Sequence, residues 1–248
     1  MKYKLLFSFI LINIIFGFAQ HYEINPNLLV EYDFNFQTDS TNTDKKFNEK
    51  MNLYIDNDLS YFISENFIKY DSVLKSDKRI KRINFDEIPK PQLWIGVIKD
   101  FKNADIYFSD KIFSYKLFYK DSLEKIDWKL TKKEKDILGY KCKEATANYR
   151  GREWIAYYTD EIPITDGPYK FNGLPGLILQ IYDSNNYFNF KVINIKKVKD
   201  INLNISFMNN INTNTVKEYY FNKIKIFENI RRQNEVYEPV VYNPIELE

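Results

Sequence analysis

The residues of this sequence best suited to chemistry are three carboxylates, Asp160, Glu161 and Asp166, which follow a predicted strand. Carboxylates can act as a general acid, a general base or ligands of a hard cation. Adjacent side chains of an extended chain point to opposite faces, so Asp160 and Glu161 do not obviously converge on one substrate. A carboxylate-dependent periplasmic hydrolase is therefore the weaker of two functional interpretations, and no catalytic residue is assigned from the sequence.

Histidine and cysteine, the other common catalytic and metal-binding residues, occur once each, as His21 and Cys142. Ser-His-Asp and Cys-His arrangements need a positioned imidazole, and His21 lies at the predicted mature N-terminus. Zinc sites built from several His or Cys ligands are excluded in the same way. We expect no metal, no cofactor and no intramolecular disulfide, and we predict that Cys142 is a buried thiol.

The second, preferred interpretation is a non-catalytic protein that binds a ligand or partner on a curved antiparallel sheet.

Glycine is unevenly distributed along the chain. Five of the seven glycines lie between residues 139 and 176, most densely at Gly173-Leu174-Pro175-Gly176. Glycine reaches positive φ without steric cost, and proline fixes φ near −65°. Pro175-Gly176 suits the central positions of a type II turn, and the apolar Leu174 favours a turn that packs on the core. The block is thus interpreted as a structural corner, in which at least one of the two glycines is expected to have a positive φ.

The alternative for the same block is a binding cleft with backbone glycines at its base and nearby aromatic rings as its walls. The candidate binding residues are Trp154, Tyr157, Tyr158, Tyr169, Gly173, Leu174, Pro175 and Gly176.

The N-terminus predicts export. Lys2 and Lys4 precede an apolar run, and Gly17-Phe18-Ala19 has small residues where signal peptidase requires them. The run is about 14 residues, too short for a membrane helix of roughly 20. We expect residues 1–19 to be a cleaved signal peptide and residues 20–248 to be one periplasmic or secreted domain.

The charge balance argues against nucleic acid as a partner. The chain has 36 basic and 34 acidic residues, and loss of Lys2 and Lys4 with the leader leaves 34 of each. Nucleic-acid binding proteins usually carry a basic patch or a basic net charge. The expected partners are therefore a small ligand or an envelope protein, and the mature chain is expected to have no transmembrane segment.

The elements that would position these residues are mostly strands, because Tyr and Phe number 20 each and favour pleated surfaces. Residues 42–50 are predicted to be a loop, 131–136 a polar patch, and 66–77 either a helical turn or a loop. The predicted strands are 28–36, 51–55, 59–64, 93–100, 105–109, 112–120, 140–149, 154–159, 177–182 and 187–195.

One helix is predicted near the C-terminus, capped by Asn214-Thr215. Its apolar stripe comprises Val216, Tyr219, Tyr220, Lys223, Ile224, Phe227 and Ile230. Residues 237–248 contain two prolines and are predicted to form an extended tail. The expected fold is mainly β, a single antiparallel domain with a curved sheet or an open half-barrel and a C-terminal α-helix.

Three ordered blocks carry a family resemblance: Leu-Gly-Tyr-Lys-Cys-Lys at 138–143, the segment 151–163, and 167–178, which contains Gly-Leu-Pro-Gly-Leu-Ile. Together they resemble the GLPGLI family of exported Bacteroidota proteins. The resemblance implies no established activity and a location near TonB-dependent outer-membrane receptors. The expectation is therefore a non-catalytic envelope protein that binds a ligand or partner, accessory to TonB-dependent uptake.

Overall fold

A computed structural model describes residues 20–42, 44–75, 88–112, 115–207, 211–212, 215–233 and 243–247. The predicted signal peptide and Asn214 of the predicted helix cap lie outside the described residues. Within the described part of the chain, no helix is both long enough and apolar enough to cross a membrane.

The described residues form fourteen strands and two helices. The strands are β1 (Gln20–Ile24), β2 (Leu28–Gln37), β3 (Lys46–Ile55), β4 (Leu59–Ser64), β5 (Gly96–Asp100), β6 (Asp105–Ile112), β7 (Tyr115–Ser122), β8 (Lys129–Ile137), β9 (Tyr140–Tyr149), β10 (Arg152–Thr159), β11 (Leu177–Asp183), β12 (Phe188–Lys197), β13 (Leu203–Phe207) and β14 (Ile211–Asn212). The helices are α1 (Glu65–Lys75) and α2 (Val216–Gln233).

Twelve of the strands form one sheet in the order β14-β7-β6-β5-β4-β3-β2-β12-β11-β10-β9-β8. Every pairing in it is antiparallel except that of β14 with β7. The outermost strands, β14 and β8, do not pair with each other, so the described strands form an open sheet. β1 and β13 pair separately as a two-stranded ribbon. The predicted class, mainly β with a large antiparallel sheet and a C-terminal helix, is confirmed.

Local sequence accounts for the hairpins. Along β2 buried and more exposed residues largely alternate, as expected for a strand with one face on the core. β9 and β10 are joined by Arg150-Gly151 alone, with φ of 50° and 75°. Two successive residues at positive φ make a type I′ turn, whose twist matches that of paired strands.

Each face of the sheet has its own apolar cluster. The inner face holds the larger cluster. All ten strands that lie between β7 and β9 in the order of the sheet, these two included, contribute residues to it. Because residues from both ends of the sheet share this cluster, the sheet wraps around one core. On the outer face a smaller cluster is covered by the β1–β13 ribbon, through Ile24 and Ile205.

Several expectations need correction. The predicted loop at 42–50 already contains the start of β3, where exposed polar residues pair with β2. The polar patch at 131–136 is part of β8, an edge strand whose side chains are mostly exposed, so it lacks the alternation that marks a strand. The undecided segment 66–77 lies largely in α1.

The C-terminal helix and the lone cysteine follow the predictions more closely. Thr215 Oγ1 accepts the Glu218 N–H at 3.1 Å and so caps α2. The predicted apolar stripe of α2 needs one correction: Ile224 is exposed, and Ile226, which was not assigned to the stripe, is buried. Cys142 is buried, and burial raises the pKa of its thiol to about 11.

Candidate functional site

Residues 173–176, Gly-Leu-Pro-Gly, are here called the Gly-Pro block. The block lies in the segment 160–176, which connects β10 to β11 and packs inside the wrapped sheet. Gly173 has φ of 88°, so the prediction of a positive φ in the block is confirmed. The Gly176 N–H donates to the Leu174 carbonyl at 2.8 Å, which closes a three-residue γ-turn around Pro175. The prediction of a type II turn is therefore wrong. The Leu177 N–H reaches the Ile162 carbonyl at 3.0 Å and ties the two ends of the segment together.

Most of the candidate cleft residues are part of the core. Trp154, Tyr158, Tyr169 and Leu174 are each at most 3% exposed, and Tyr157 is 8% exposed. Trp154 packs edge-on against Phe171 with ring centroids 4.6 Å apart, and its indole N–H donates to the Tyr149 carbonyl. Gly173 and Pro175 are exposed, whereas Gly176 is buried. This burial supports the structural-corner interpretation of the block.

The three candidate carboxylates take part in three separate interactions. Asp160 is exposed and pairs with Lys143 at 2.6 Å, a hydrogen-bonded contact that lowers the Asp160 pKa. Glu161 accepts the backbone N–H of Lys141 at 2.8 Å. Asp166 is buried and pairs with the equally buried Lys99. No common substrate position is formed by these contacts.

The Lys99–Asp166 pair fixes the 160–176 segment to the sheet. Lys99 projects from β5 into the inner core and also donates to the Gly167 carbonyl at 2.5 Å. Burial lowers the pKa of Lys99, and Asp166 opposes that shift. A buried charge without its partner is strongly destabilising, so this contact is a requirement of the fold.

A second buried ion cluster binds the end of the chain, residues 243–247, here called the C-terminal strap. Glu246 is 1% exposed; its Oε1 lies 2.7 Å from Lys170 Nζ and accepts the Tyr169 hydroxyl at 2.5 Å. Lys170 also donates to the Tyr119 hydroxyl at 2.8 Å. Tyr169 has φ of 54°, a conformation that a bulky residue adopts only when its surroundings impose it.

Arg152 anchors the other end of the strap. Its guanidinium pairs with Asp183 at 3.2 Å and donates to the Asn243 side-chain oxygen at 2.6 Å. It also donates to the carbonyls of Pro244 and Ile245. The predicted extended tail therefore ends in a docked segment. No local signal in the sequence indicates this docking, because Arg152 stands between Gly151 and Glu153 beside a predicted turn, where a charged residue is ordinarily exposed.

A cavity of about 70 Å³ lies between the sheet, α2 and the strap. Phe34, Phe108, Tyr169, Tyr219 and Ile245 are among its lining residues, and Tyr169 is the one cleft candidate that reaches it. Ligand pockets usually measure about 300–1,000 Å³. This cavity is therefore too small for an ordinary small-molecule ligand.

The outer face of six neighbouring strands, β9, β10, β11, β12, β2 and β3, carries two adjacent rows of mainly polar residues. Paired positions give one row as Glu144, Tyr157, Gln180, Lys191, Asp33 and Lys50. The second row, two residues along each strand, is Thr146, Ile155, Tyr182, Asn189, Asn35 and Asn48. These twelve residues are here called the amide face, and it was not identified from the sequence.

Hydrogen bonds connect the side chains of the amide face. At its β3 end, Asn48 donates to Asp33 at 2.7 Å and to Asn35 at 3.0 Å. In the middle, Gln180 donates to Asn189 at 3.0 Å. These contacts hold the exposed carboxamides in defined orientations.

At the β9 end of the amide face, Lys135 of β8 lies with its Nζ 3.6 Å from the centre of the Tyr157 ring and donates to Gln180 at 2.6 Å. The Tyr157 hydroxyl donates to Glu144 at 2.5 Å. Burial opposes ionisation of Glu144, but hydrogen bonds from Tyr157 and Thr131 outweigh it and lower the pKa of Glu144.

Among the described residues, no group of three or more His, Cys, Asp or Glu side chains is placed to hold a metal ion. Fold and site thus define a β-rich domain whose buried ion pairs stabilise the structure and whose polar surface lies on the outer face of the sheet.

Residues 81–220 match the family described as N-glycanase peptide, N-terminal domain. The chain belongs to this family.

Solved structures that share the fold include two crystal forms of PNGF-II. The P21 crystal form aligns with a TM-score of 0.52 and 16% identity, over 82% of this chain and 33% of PNGF-II. The C2 form aligns with the same TM-score and identity, over 78% and 32%. This chain therefore spans about a third of PNGF-II. No curated protein matches the sequence. The GLPGLI resemblance stays a prediction.

Proposed function

We propose that this chain is an exported, non-catalytic binding domain that holds a ligand or protein partner for glycan-processing or uptake machinery of the cell envelope. One observation carries the proposal: the three candidate catalytic carboxylates each contact a different partner, and none of these contacts is shared. Asp166 is also buried in the core, where it pairs with Lys99. A glycoside hydrolase that works through carboxylates usually places two of them on either side of the substrate bond.

The family relationship supports a binding role. The matching family is the N-terminal domain of an N-glycanase, and this chain corresponds to about a third of PNGF-II. A domain that forms a minor part of a larger enzyme can serve by binding the substrate or a neighbouring domain. We extend that role to this chain, with a glycoconjugate or an envelope protein as the partner.

Export and the link to TonB-dependent uptake belong to the same proposal, supported by the leader pattern of residues 1–19 and the GLPGLI resemblance. Mass spectrometry of the protein from envelope fractions should find an N-terminus at Gln20 or His21. Intact Met1 in those fractions would contradict export.

The central experiment separates binding from turnover. Purified residues 20–248 are incubated with N-glycopeptide, peptide, ester and glycoside substrates, and the same compounds and purified outer-membrane receptors are titrated by calorimetry. We expect measurable binding to at least one compound or receptor, with every substrate recovered intact. Multiple turnover that Asp160→Asn or Glu161→Gln abolishes, while Glu153→Gln leaves it unchanged, would establish the hydrolase instead. Absence of both binding and turnover would also refute the proposal.

A further inference from the structure

We infer that the amide face binds an extended, electrically neutral oligosaccharide. This inference rests on the proposed binding function and specifies the surface and the ligand class. The occupant follows from four properties of the face: its hydrogen-bonding groups, its charge balance, its aromatic rings and its shape.

The hydrogen-bonding groups suit hydroxyl-rich ligands. Asn35, Asn48, Gln180 and Asn189 each present a carboxamide, and each carboxamide has both a donor and an acceptor side. A sugar hydroxyl likewise donates one hydrogen bond and accepts others. A surface of carboxamides can therefore pair with successive hydroxyls whichever way each one points, whereas a purely anionic or cationic surface cannot.

The formal charges on the amide face cancel. Lys50 and Lys191 balance Asp33 and Glu144: both lysines lie beside Asp33 on the neighbouring strands, and Glu144 pairs with Lys133 of β8 at 3.3 Å. At the border β8 adds two positive charges, and both already have partners: Lys133 pairs with Glu144, and Lys135 contacts Gln180 and the Tyr157 ring. A balanced surface attracts neither polyanions nor polycations over distance, which favours a neutral ligand.

The two tyrosines supply an apolar contact between the polar groups. Tyr182 is partly exposed beside the partly exposed Ile155, while Tyr157 is held beneath Lys135. Aromatic rings combine a large apolar surface with a polar tip, so they suit ligands with alternating C–H and hydroxyl edges. Tyr182 is thus expected to stack against a ring of the ligand.

The shape of the face suits a chain rather than a compact molecule. Six neighbouring strands about 4.8 Å apart make a track roughly 24 Å long, and two residues along a strand make it roughly 7 Å wide. An added peptide strand is disfavoured here, because the backbone groups of these central strands already pair with each other. The hydrogen bonds among the carboxamides fix them before binding and reduce the ordering cost.

The test uses residues 20–248 on an array of neutral unbranched oligosaccharides and neutral released N-glycans, followed by calorimetric titration of the best binder. The double variant Asn35→Ala/Asn189→Ala should weaken binding at least tenfold without changing the melting temperature. The matched control, Asn204→Ala, removes an exposed carboxamide from β13 and should change the dissociation constant less than twofold. Amide chemical shifts in β2 and β12 should move on titration.

Each other result has a defined meaning. No binding to any neutral oligosaccharide, or binding that the double variant leaves intact, overturns the inference. Binding to acidic glycans or to a receptor protein in place of neutral glycans also overturns it but leaves the proposed binding function standing. Turnover of the oligosaccharide refutes the proposed function itself.

Discussion

The two faces of the same sheet use polar residues in opposite ways. On the inner face Lys99, Lys170 and Arg152 are almost completely buried, and each one contacts a carboxylate. On the outer face the polar residues of the amide face are exposed or partly exposed apart from Glu144 and Tyr157, their charges balance, and amide hydrogen bonds connect them. Each buried cation requires a carboxylate partner, because an unpaired buried charge is strongly destabilising. The buried ion pairs of the inner side thus stabilise the fold, whereas the polar side chains of the amide face are available to bind a ligand.

The most severe way to break the inner arrangement is Glu246→Ala. It removes the carboxylate that contacts both Lys170 and Tyr169 and leaves a buried lysine without that partner. We expect the free energy of unfolding, measured by urea denaturation, to fall by about 3–5 kcal/mol. Glu134→Ala, at an exposed position in β8, should change it by less than about 0.5 kcal/mol. Asp121 Oδ2 lies 3.4 Å from Lys170 Nζ, so a loss below about 1 kcal/mol for Glu246→Ala would show that Asp121 can replace Glu246 as the partner of Lys170.

Alanine substitutions in the Gly-Pro block test whether the block is a structural corner or the base of a binding cleft. A Cβ on Gly176 would overlap the backbone carbonyl of Thr159, whereas on Gly173 it would meet only the Trp128 indole nitrogen at 3.9 Å. Gly176→Ala should therefore cost about 2 kcal/mol or more. Gly173→Ala should cost about 1 kcal/mol from its positive φ alone.

Gly139→Ala is the control for this series, because Gly139 has φ of 84° and open space around its Cβ position. It should resemble Gly173→Ala in thermal melts. If Gly176→Ala left the melting temperature unchanged and abolished ligand capture, the block would be a binding surface after all.

Glu144 is the buried carboxylate of the amide face and gives a pH-dependent test. Its pKa is lowered below the usual 4.5, so its contribution to stability is present above pH 4.5 and is lost as the pH falls through the lowered value. Glu144→Gln should be less stable than wild type at pH 7 by about 1.5 kcal/mol. The difference should shrink in melts at low pH, whereas Glu153→Gln should show no such convergence. A constant difference across pH would contradict the role of the ionised carboxylate.

The smallest effect on stability is expected on the amide face. Asn35→Ala and Asn189→Ala remove exposed or partly exposed side chains, so each should change the free energy of unfolding by less than about 0.5 kcal/mol. Denaturation of both variants beside wild type checks this. A loss above about 1.5 kcal/mol would mean that the amides are structural and would remove the contrast between the faces.

Elements with local signals were predicted well. The predicted strands 51–55 and 59–64 form the β3–β4 hairpin, and the predicted strands 140–149 and 154–159 lie in β9 and β10. β8 was missed because an edge strand with exposed side chains has no apolar period. The amide face was missed because its two rows join six strands and become visible only when the register of each pair is known.

The sequence by itself determined the mainly β class, the capped C-terminal helix, the burial of Cys142 and the need for glycine at Gly173, because each depends on a few neighbouring residues. Only the tertiary structure decided which charges are buried together and where the strap docks. Tyr169 and Glu246 are 77 residues apart, and Arg152 and Asn243 are 91 apart. Contacts over such distances leave no period or motif in the sequence, because folding alone brings their partners together.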